Sequence, residues 1–424
     1  MEALYSEKLE RLERTLKGKK PDRVPFMPAF HYFPARYAGI TYHEYSFNYE
    51  RFVEAVTKVY KDFDFDVAGF VAPGCGIPGP LTMPVIFVRD FPELLTMIPA
   101  FAGPMHDILG DKYTKWPGRE LRVNTPAQIA YVDAPYMSVE EYRDLAEDPV
   151  GFLTEKIIPR VYRNLEKPAS PKYYATLIKL GMEAQKFALF QLRLFNELKS
   201  LGYPILPFSF STVPLDFIAD NLRCPHSYTL LDIRRKPYEV KRACESLLPL
   251  LIDLGLKAIP PVEVRKSIFG TELCAIFIPL HLNEMLSPKL YNEFYWPHLK
   301  KIIETLVSKG YRGFVFFEGD HTPHLDTILE LPKGWGIAWF ERPRDFMKVW
   351  EKLKGHTTVM GGVPTNLLIG GTPEKIEEYI KNLLNQIKPE GGFIISPGNA
   401  ELSAGTPVEN VRAYINAVLK YGAY

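Results

Sequence analysis

The chain has 424 residues, 46% of them apolar and 24% charged, enough apolar sequence for a full core in one large domain or two smaller ones. Its 51 basic and 50 acidic residues leave a formal charge of +1, which argues against nucleic acid or an anionic membrane as partner. No apolar run is long enough to span a bilayer and the charged segment from Met1 to Leu9 has no signal-peptide core, so a cytoplasmic location is expected.

Residues 3–18 are periodic and charged, as a surface helix is, and Lys20-Pro21-Asp22-Arg23 breaks the pattern. Residues 24–30 read as a first strand ending at His31. Helical spacing follows over 48–62, with Phe52, Val56, Val59 and Tyr60 on one face. Residues 66–71 make a second strand that ends in Ala72-Pro73-Gly74-Cys75-Gly76, a loop in which backbone can approach a ligand. From 77 to 170 the rhythm breaks into prolines, aromatics and short runs, expected to be an insertion that serves as a lid or a dimer element. A long helix is expected over 171–200, a third strand over 203–211, and helices near 214–222 and 237–258. Residues 273–278 form a fourth strand that ends near His281, and Ser287-Pro288 opens a helix with serine as cap and proline at the first position.

Four more apolar runs then stop at polar or glycine residues. Residues 313–317 run into Glu318-Gly319-Asp320-His321, 336–340 into Glu341-Arg342-Pro343, 357–360 into Gly361-Gly362, and 392–395 into Ser396-Pro397-Gly398-Asn399. Eight strands, each followed by helical sequence, most economically close into a single α/β (β/α)8 TIM barrel, here over 1–424 with an N-terminal helix and the 77–170 insertion after strand two; a doubly wound open sheet is the alternative. Such folds carry their chemistry at the C-terminal ends of the strands. No GxGxxG, P-loop, GxSxG or HExxH motif is present, so neither nicotinamide nor flavin is expected as cofactor. The cysteines Cys75, Cys224, Cys244 and Cys274 are scattered, which gives no thiolate zinc knuckle and no disulfide framework.

Several segments resemble the uroporphyrinogen decarboxylase superfamily: Lys20-Pro21-Asp22-Arg23-Val24-Pro25 near the start, and Thr406-Pro407-Val408-Glu409-Asn410-Val411-Arg412-Ala413 near the end. Leu286-Ser287-Pro288 with Phe294-Tyr295-Trp296-Pro297, and Gly361-Gly362-Val363-Pro364-Thr365 with Gly371-Thr372-Pro373-Glu374, are similar to its units after strands four and seven. The resemblance covers most of the chain outside 77–170 and implies a TIM barrel, a homodimer, and one of two chemistries: decarboxylation of uroporphyrinogen without a cofactor, or zinc-dependent methyl transfer involving a corrinoid protein. The sequence departs from both. Where the decarboxylases have an arginine-rich segment after strand one, this chain has His31-Tyr32-Phe33-Pro34-Ala35-Arg36-Tyr37, with Arg36 its one firm cation, and Asn399 stands where they have a histidine. Where the methyltransferases ligate zinc through His-x-Cys and a later cysteine, it has Phe316, Phe317, Glu318 and Asn399. Residues 38–45 look closer to the methyltransferase branch.

The strand register collects His31, His281, Glu318, Asp320, His321, Glu341 and Asn399 at the mouth. Carboxylate and imidazole from neighbouring strand ends suit an acid–base pair or a divalent metal such as zinc, so Glu318, His281 and His31 are candidate catalytic residues, and Glu318, His281 and Glu341 candidate metal ligands. The bland reading pairs these carboxylates with Lys333, Arg342 or Arg344. His321 and His324 could share a metal, although the proline between them favours a helix start. Arg36, Tyr32, Cys75, Gly361, Gly362 and Asn399 are candidate substrate contacts, with tight-loop packing the alternative for Cys75 and strand bending for the glycines. Tyr32, Phe33, Trp339 and Phe340 could stack a flat substrate or simply pack. The leading expectation is methyl transfer or demethylation with a corrinoid partner protein, through an oxygen- and nitrogen-rich site whose metal acts as Lewis acid on a small-molecule substrate. The alternatives are a decarboxylase in which His31 or His281 delivers the proton, and a non-catalytic corrinoid- or tetrapyrrole-binding protein.

Overall fold

Prolines decide how the early strands pair. Residues 24–30 carry Pro25 and Pro28, residues 203–211 carry Pro204 and Pro207, and proline gives no N–H to a ladder. In the computed structural model, which describes residues 2–69, 82–96, 102–129, 135–398 and 401–424, these segments pair through single parallel bridges: Phe26 with Ile395, Phe30 with Leu402, and Ala68 with Ile205. The third ladder strand is therefore only Phe208–Phe210, shorter than the sequence suggests. It leads a six-stranded parallel sheet that continues through Ala275–Leu280, Arg312–Phe317, Gly336–Phe340, Thr358–Val363 and Phe393–Pro397.

Backbone hydrogen bonds close this sheet into a ring. The Met27 N–H donates to Ile395 O at 3.2 Å and the Ile395 N–H to Pro25 O at 3.0 Å. The Asp66 N–H donates to Phe26 O at 3.0 Å and the Ala68 N–H to Pro204 O at 2.8 Å. Residues 24–30 and 66–68 thus complete the barrel as its first two staves, and the six sheet strands are staves three to eight.

A closed barrel needs two cores, one inside the ring and one between ring and helices, and the chain has both. The inner one holds Met27, Ala29, Val67, Leu206, Phe314, Phe316, Ile337, Trp339, Met360 and Ile394, with Phe277 packed against it. Its rings touch: Phe277 and Phe314 lie 5.3 Å apart, Phe316 and Trp339 4.5 Å. Trp339 is therefore interior packing, and Phe340, on the alternate face, stacks on Phe317 at 4.8 Å.

The N-terminal helix Glu2–Leu16 plugs the floor with Leu12 and Leu16. There Arg11 and Arg23 each reach Asp66 at 2.7 Å, and the Phe26 N–H donates to Asp66 at 2.8 Å. Asp22 takes Arg11 through both oxygens, at 2.8 and 2.5 Å. The Asp22-Arg23 pair in the opening motif is thus the clasp between helix and barrel floor, and Asp66 lies at the end away from the mouth.

The described parts of 82–170 are mostly helical. Thr82–Asp90 and Tyr142–Glu147 pack on the long helix Pro237–Lys257, beside the barrel. Other parts of the segment hold the backbone that follows stave three: the Met137 N–H donates to Leu222 O at 3.0 Å, and Arg223 donates to Met137 O at 2.6 Å while forking onto Asp232.

Candidate functional site

The inward faces of the staves define the mouth. Side chains alternate along a strand, so the face of Phe277, Phe316, Trp339 and Ala29 continues to His281, Glu318, Glu341 and His31. Leu280 is in register with Phe317, and Phe317 with Phe340. The next residues, His281, Glu318 and Glu341, therefore stand at one level on adjacent staves, as the sequence pattern leads one to expect.

His281 is clamped between two carboxylates. Its Nδ1 lies 2.6 Å from Asp220 Oδ2 and its Nε2 3.3 Å from Glu318 Oε1. The other Asp220 oxygen meets His226 Nε2 at 2.8 Å, and the two imidazoles lie nearly parallel with centroids 6.4 Å apart. The result is a chain Glu318–His281–Asp220–His226 in which buried Asp220 links two partly exposed imidazoles. Burial works against charge on His281, but Asp220 and Glu318 outweigh it and raise its pKa well above the usual imidazole value. Burial likewise opposes ionisation of Asp220, yet His281 and His226 hold it down at about 2. Asp220 is thus held as the anion and His281 as the imidazolium.

A second carboxylate builds the frame. Asp216 accepts the backbone N–H groups of His281 and Leu282 at 3.1 and 3.0 Å, and the Tyr295 hydroxyl. Burial, with Asp220 nearby, raises its pKa to about 6. Asp216 and Asp220 sit four apart on the segment after stave three, where Pro214–Phe217 is α-helical and Ile218–Leu222 is a π turn closed by the Arg223 N–H on Ile218 O at 2.8 Å. The Tyr113 hydroxyl donates to the Asp220 carbonyl, so the insertion helps to hold this turn.

Asp216, Asp220 and His226 were not legible as site residues from strand ends alone. The available signal was a pair of carboxylates in the otherwise apolar run Pro214-Leu215-Asp216-Phe217-Ile218-Ala219-Asp220, directly after stave three. A buried carboxylate must have partners.

The other expected residues divide. His31 faces the mouth and pairs with Glu401 at 2.8 Å, both about a quarter exposed. Glu341 accepts the Gly319 N–H at 2.6 Å and lies 3.7 Å from Arg342; burial and the neighbouring Glu318 push its pKa up. Asp320 makes a rim ion pair with Arg344 at 2.8 Å, while Arg342 also holds Glu284 at 2.7 Å. Tyr32 is a correction: it is 2% exposed, stacks on Tyr42 at 4.4 Å, and bonds Ser46 and the Ala127 N–H, so it braces the wall instead of touching substrate. Arg36 is exposed but donates to Ala404 O. Gly361 and Gly362 are also corrected. Their φ values of +125° and +94° bend stave seven, and added side chains would meet Phe340 O, or Leu383 and Phe346, so packing and backbone conformation account for them. His321 is fully buried against Phe317, and burial holds its pKa well below the usual value; His324 stacks on Tyr291 at 4.0 Å. This pair is packing. Cys75 and Asn399 lie outside the described residues.

The donor set does not fit the expected metal. His281 spends Nδ1 on Asp220, and its Nε2 lies beside Glu318. Glu341 is turned to Gly319 N–H, and among the described residues no three His, Cys, Asp or Glu side chains converge as a metal group.

Residues 227–421 match the family model described as Uroporphyrinogen decarboxylase (URO-D). A curated uroporphyrinogen decarboxylase from Anaeromyxobacter dehalogenans (strain 2CP-C) is 26% identical over 161 residues, which is 38% of this chain and 44% of that protein, so the match spans less than half the length of the relative. A solved structure, a methyltransferase from Methanosarcina mazei, superposes with a TM-score of 0.58 at 15% identity over 97% of this chain and 98% of that one. At that identity the likeness carries the fold. Together with the sequence anchors, these likenesses support the uroporphyrinogen decarboxylase superfamily. Among the described residues no helix is long and apolar enough to cross a membrane.

Proposed function

We propose that, as an enzyme of the uroporphyrinogen decarboxylase superfamily, this protein transfers a methyl group from an oxygen of a small molecule, with His281 as the general acid. The observation that carries the reading is the clamp on His281, with Asp220 at 2.6 Å and Glu318 at 3.3 Å. When a methyl–oxygen bond breaks, its electron pair stays on oxygen, and the developing charge must be neutralised by a metal or a proton. Here the proton comes from His281 Nε2, which faces the mouth, while Asp220 stabilises the imidazolium before transfer. A substrate oxygen enters beside Glu318, the more exposed partner. The methyl goes to a nucleophilic acceptor, for which a corrinoid on a partner protein supplies the chemistry. Glu341, with its raised pKa, is the next proton-holding group along the mouth.

Decarboxylation uses the same acid with carbon in place of oxygen as proton acceptor. It is the weaker reading, because a substrate rich in carboxylates needs clustered cations. Arg36, Arg342 and Arg344 are each engaged, with Ala404 O, Glu284 and Asp320.

The test supplies aryl methyl ethers with free cob(I)alamin as acceptor and measures demethylated product. His281→Gln is expected to lower the rate by about 10²–10⁴-fold. Release of carbon dioxide from uroporphyrinogen, lost in the same variant and with no demethylation by the parent protein, would overturn methyl transfer while keeping the acid.

A further inference from the structure

The helix Pro171–Ser200 is apolar on two faces. One face, with Phe187, Phe190, Leu194 and Leu198, is buried against the body of the protein. On the other, Ile178, Met182, Leu189 and Leu192 are 65%, 60%, 62% and 44% exposed. With exposed Ala175 and Gln185 they form the series 175, 178, 182, 185, 189, 192, whose spacings alternate three and four. That 3.5-residue period is the seam by which one helix packs along another, and a single polar residue within such a seam sets register. A lone helix gains nothing from it.

A row of cations borders the seam. Lys172, Lys179, Lys186 and Arg193 recur every seventh residue, and all are exposed. Lys186 lies 3.5 Å from Glu183 and Arg193 reaches Glu50. In a two-helix pair these flanking positions face the partner's flank. A second copy of this chain running antiparallel would set the row against itself. A parallel copy would set it against Tyr174, Gly181, Ala188 and Phe195. Neither arrangement offers an acid.

We infer that this face is a docking surface for a different protein, one that presents a helix with an apolar seam and an acidic border. Apolar contact supplies the adhesion, and the basic row selects the partner by charge and sets its side. The surface is independent of the mouth and of the reaction proposed there.

The test uses two designed helical peptides of about four heptads with identical apolar seams, one flanked by glutamate and one by lysine, titrated against the full-length protein. The glutamate peptide is expected to bind at least about tenfold more tightly, with an advantage that shrinks as salt rises. Ile178→Asp combined with Leu189→Asp abolishes binding, Lys179→Glu with Lys186→Glu reverses the preference, and circular-dichroism melting confirms that each variant folds. Equal binding of both peptides, or binding of neither, overturns the inference. So does sedimentation of the protein as a dimer that Ile178→Asp with Leu189→Asp converts to a monomer, since a second copy would then cover the seam.

Discussion

The floor and the mouth of the barrel each hold a buried carboxylate between two cationic partners, yet they serve opposite ends. On the floor Asp66 lies between Arg11 and Arg23, guanidiniums that stay charged at any physiological pH. At the mouth Asp220 lies between His281 and His226, groups that can give up a proton. Geometry and burial are alike; the proton affinity of the partner differs. Arginine turns a buried aspartate into a clasp; in the proposed reaction, histidine turns one into a proton relay.

The sharpest way to separate the two is to remove each aspartate. Asp220→Asn should lower turnover by about 10²–10⁴-fold, because His281 loses the anion that keeps it protonated, and should leave the fold intact. The comparison fails if that variant keeps its activity. Asp66→Ala should cost about 1–3 kcal/mol of stability in denaturant unfolding, since Arg23 and the Phe26 N–H lose their acceptor while Arg11 keeps Asp22 and Glu7. It should leave the titration of His281 unmoved, and a shift there would show that the two ends are coupled. A smaller effect comes from the frame: Tyr295→Phe removes the hydroxyl on Asp216 and should cost about 1–2 kcal/mol.

The pH dependence of stability gives the finest distinction. Asp220 has a depressed folded pKa, so its contribution is present above the unfolded value and is lost as pH falls from about 4 towards 2. His281 has a raised one, so its contribution is full below about 6.5 and is lost as pH rises through the folded value. Asp220→Asn should flatten both limbs. A floor variant such as Arg23→Gln should leave the alkaline limb in place.

How much of this the sequence carries depends on the kind of signal. Strand ends are written locally, so the barrel and the neighbourhood of His281, Glu318 and Glu341 could be read from apolar runs and their register. Partners reached through the chain's third dimension could not. His281 and Asp220 are 61 residues apart, and no strand-end rule marks a helix residue. Tyr32, Gly361 and Gly362 are ambiguous in the sequence because a tyrosine at a strand end, or a glycine pair, serves packing and substrate equally well until neighbours are known. Prolines shortened staves whose composition otherwise looks fully strand-like. The metal expectation rested on residue types alone.

The central claim is that His281 is an imidazolium held by Asp220. Nuclear magnetic resonance titration of the protein labelled in its histidine rings, with the His281 signal assigned from the His281→Gln variant, tests this directly. His281 should remain protonated well above the usual imidazole value and fall sharply in Asp220→Asn. A His281 that titrates near about 6.5 in both proteins would contradict the account.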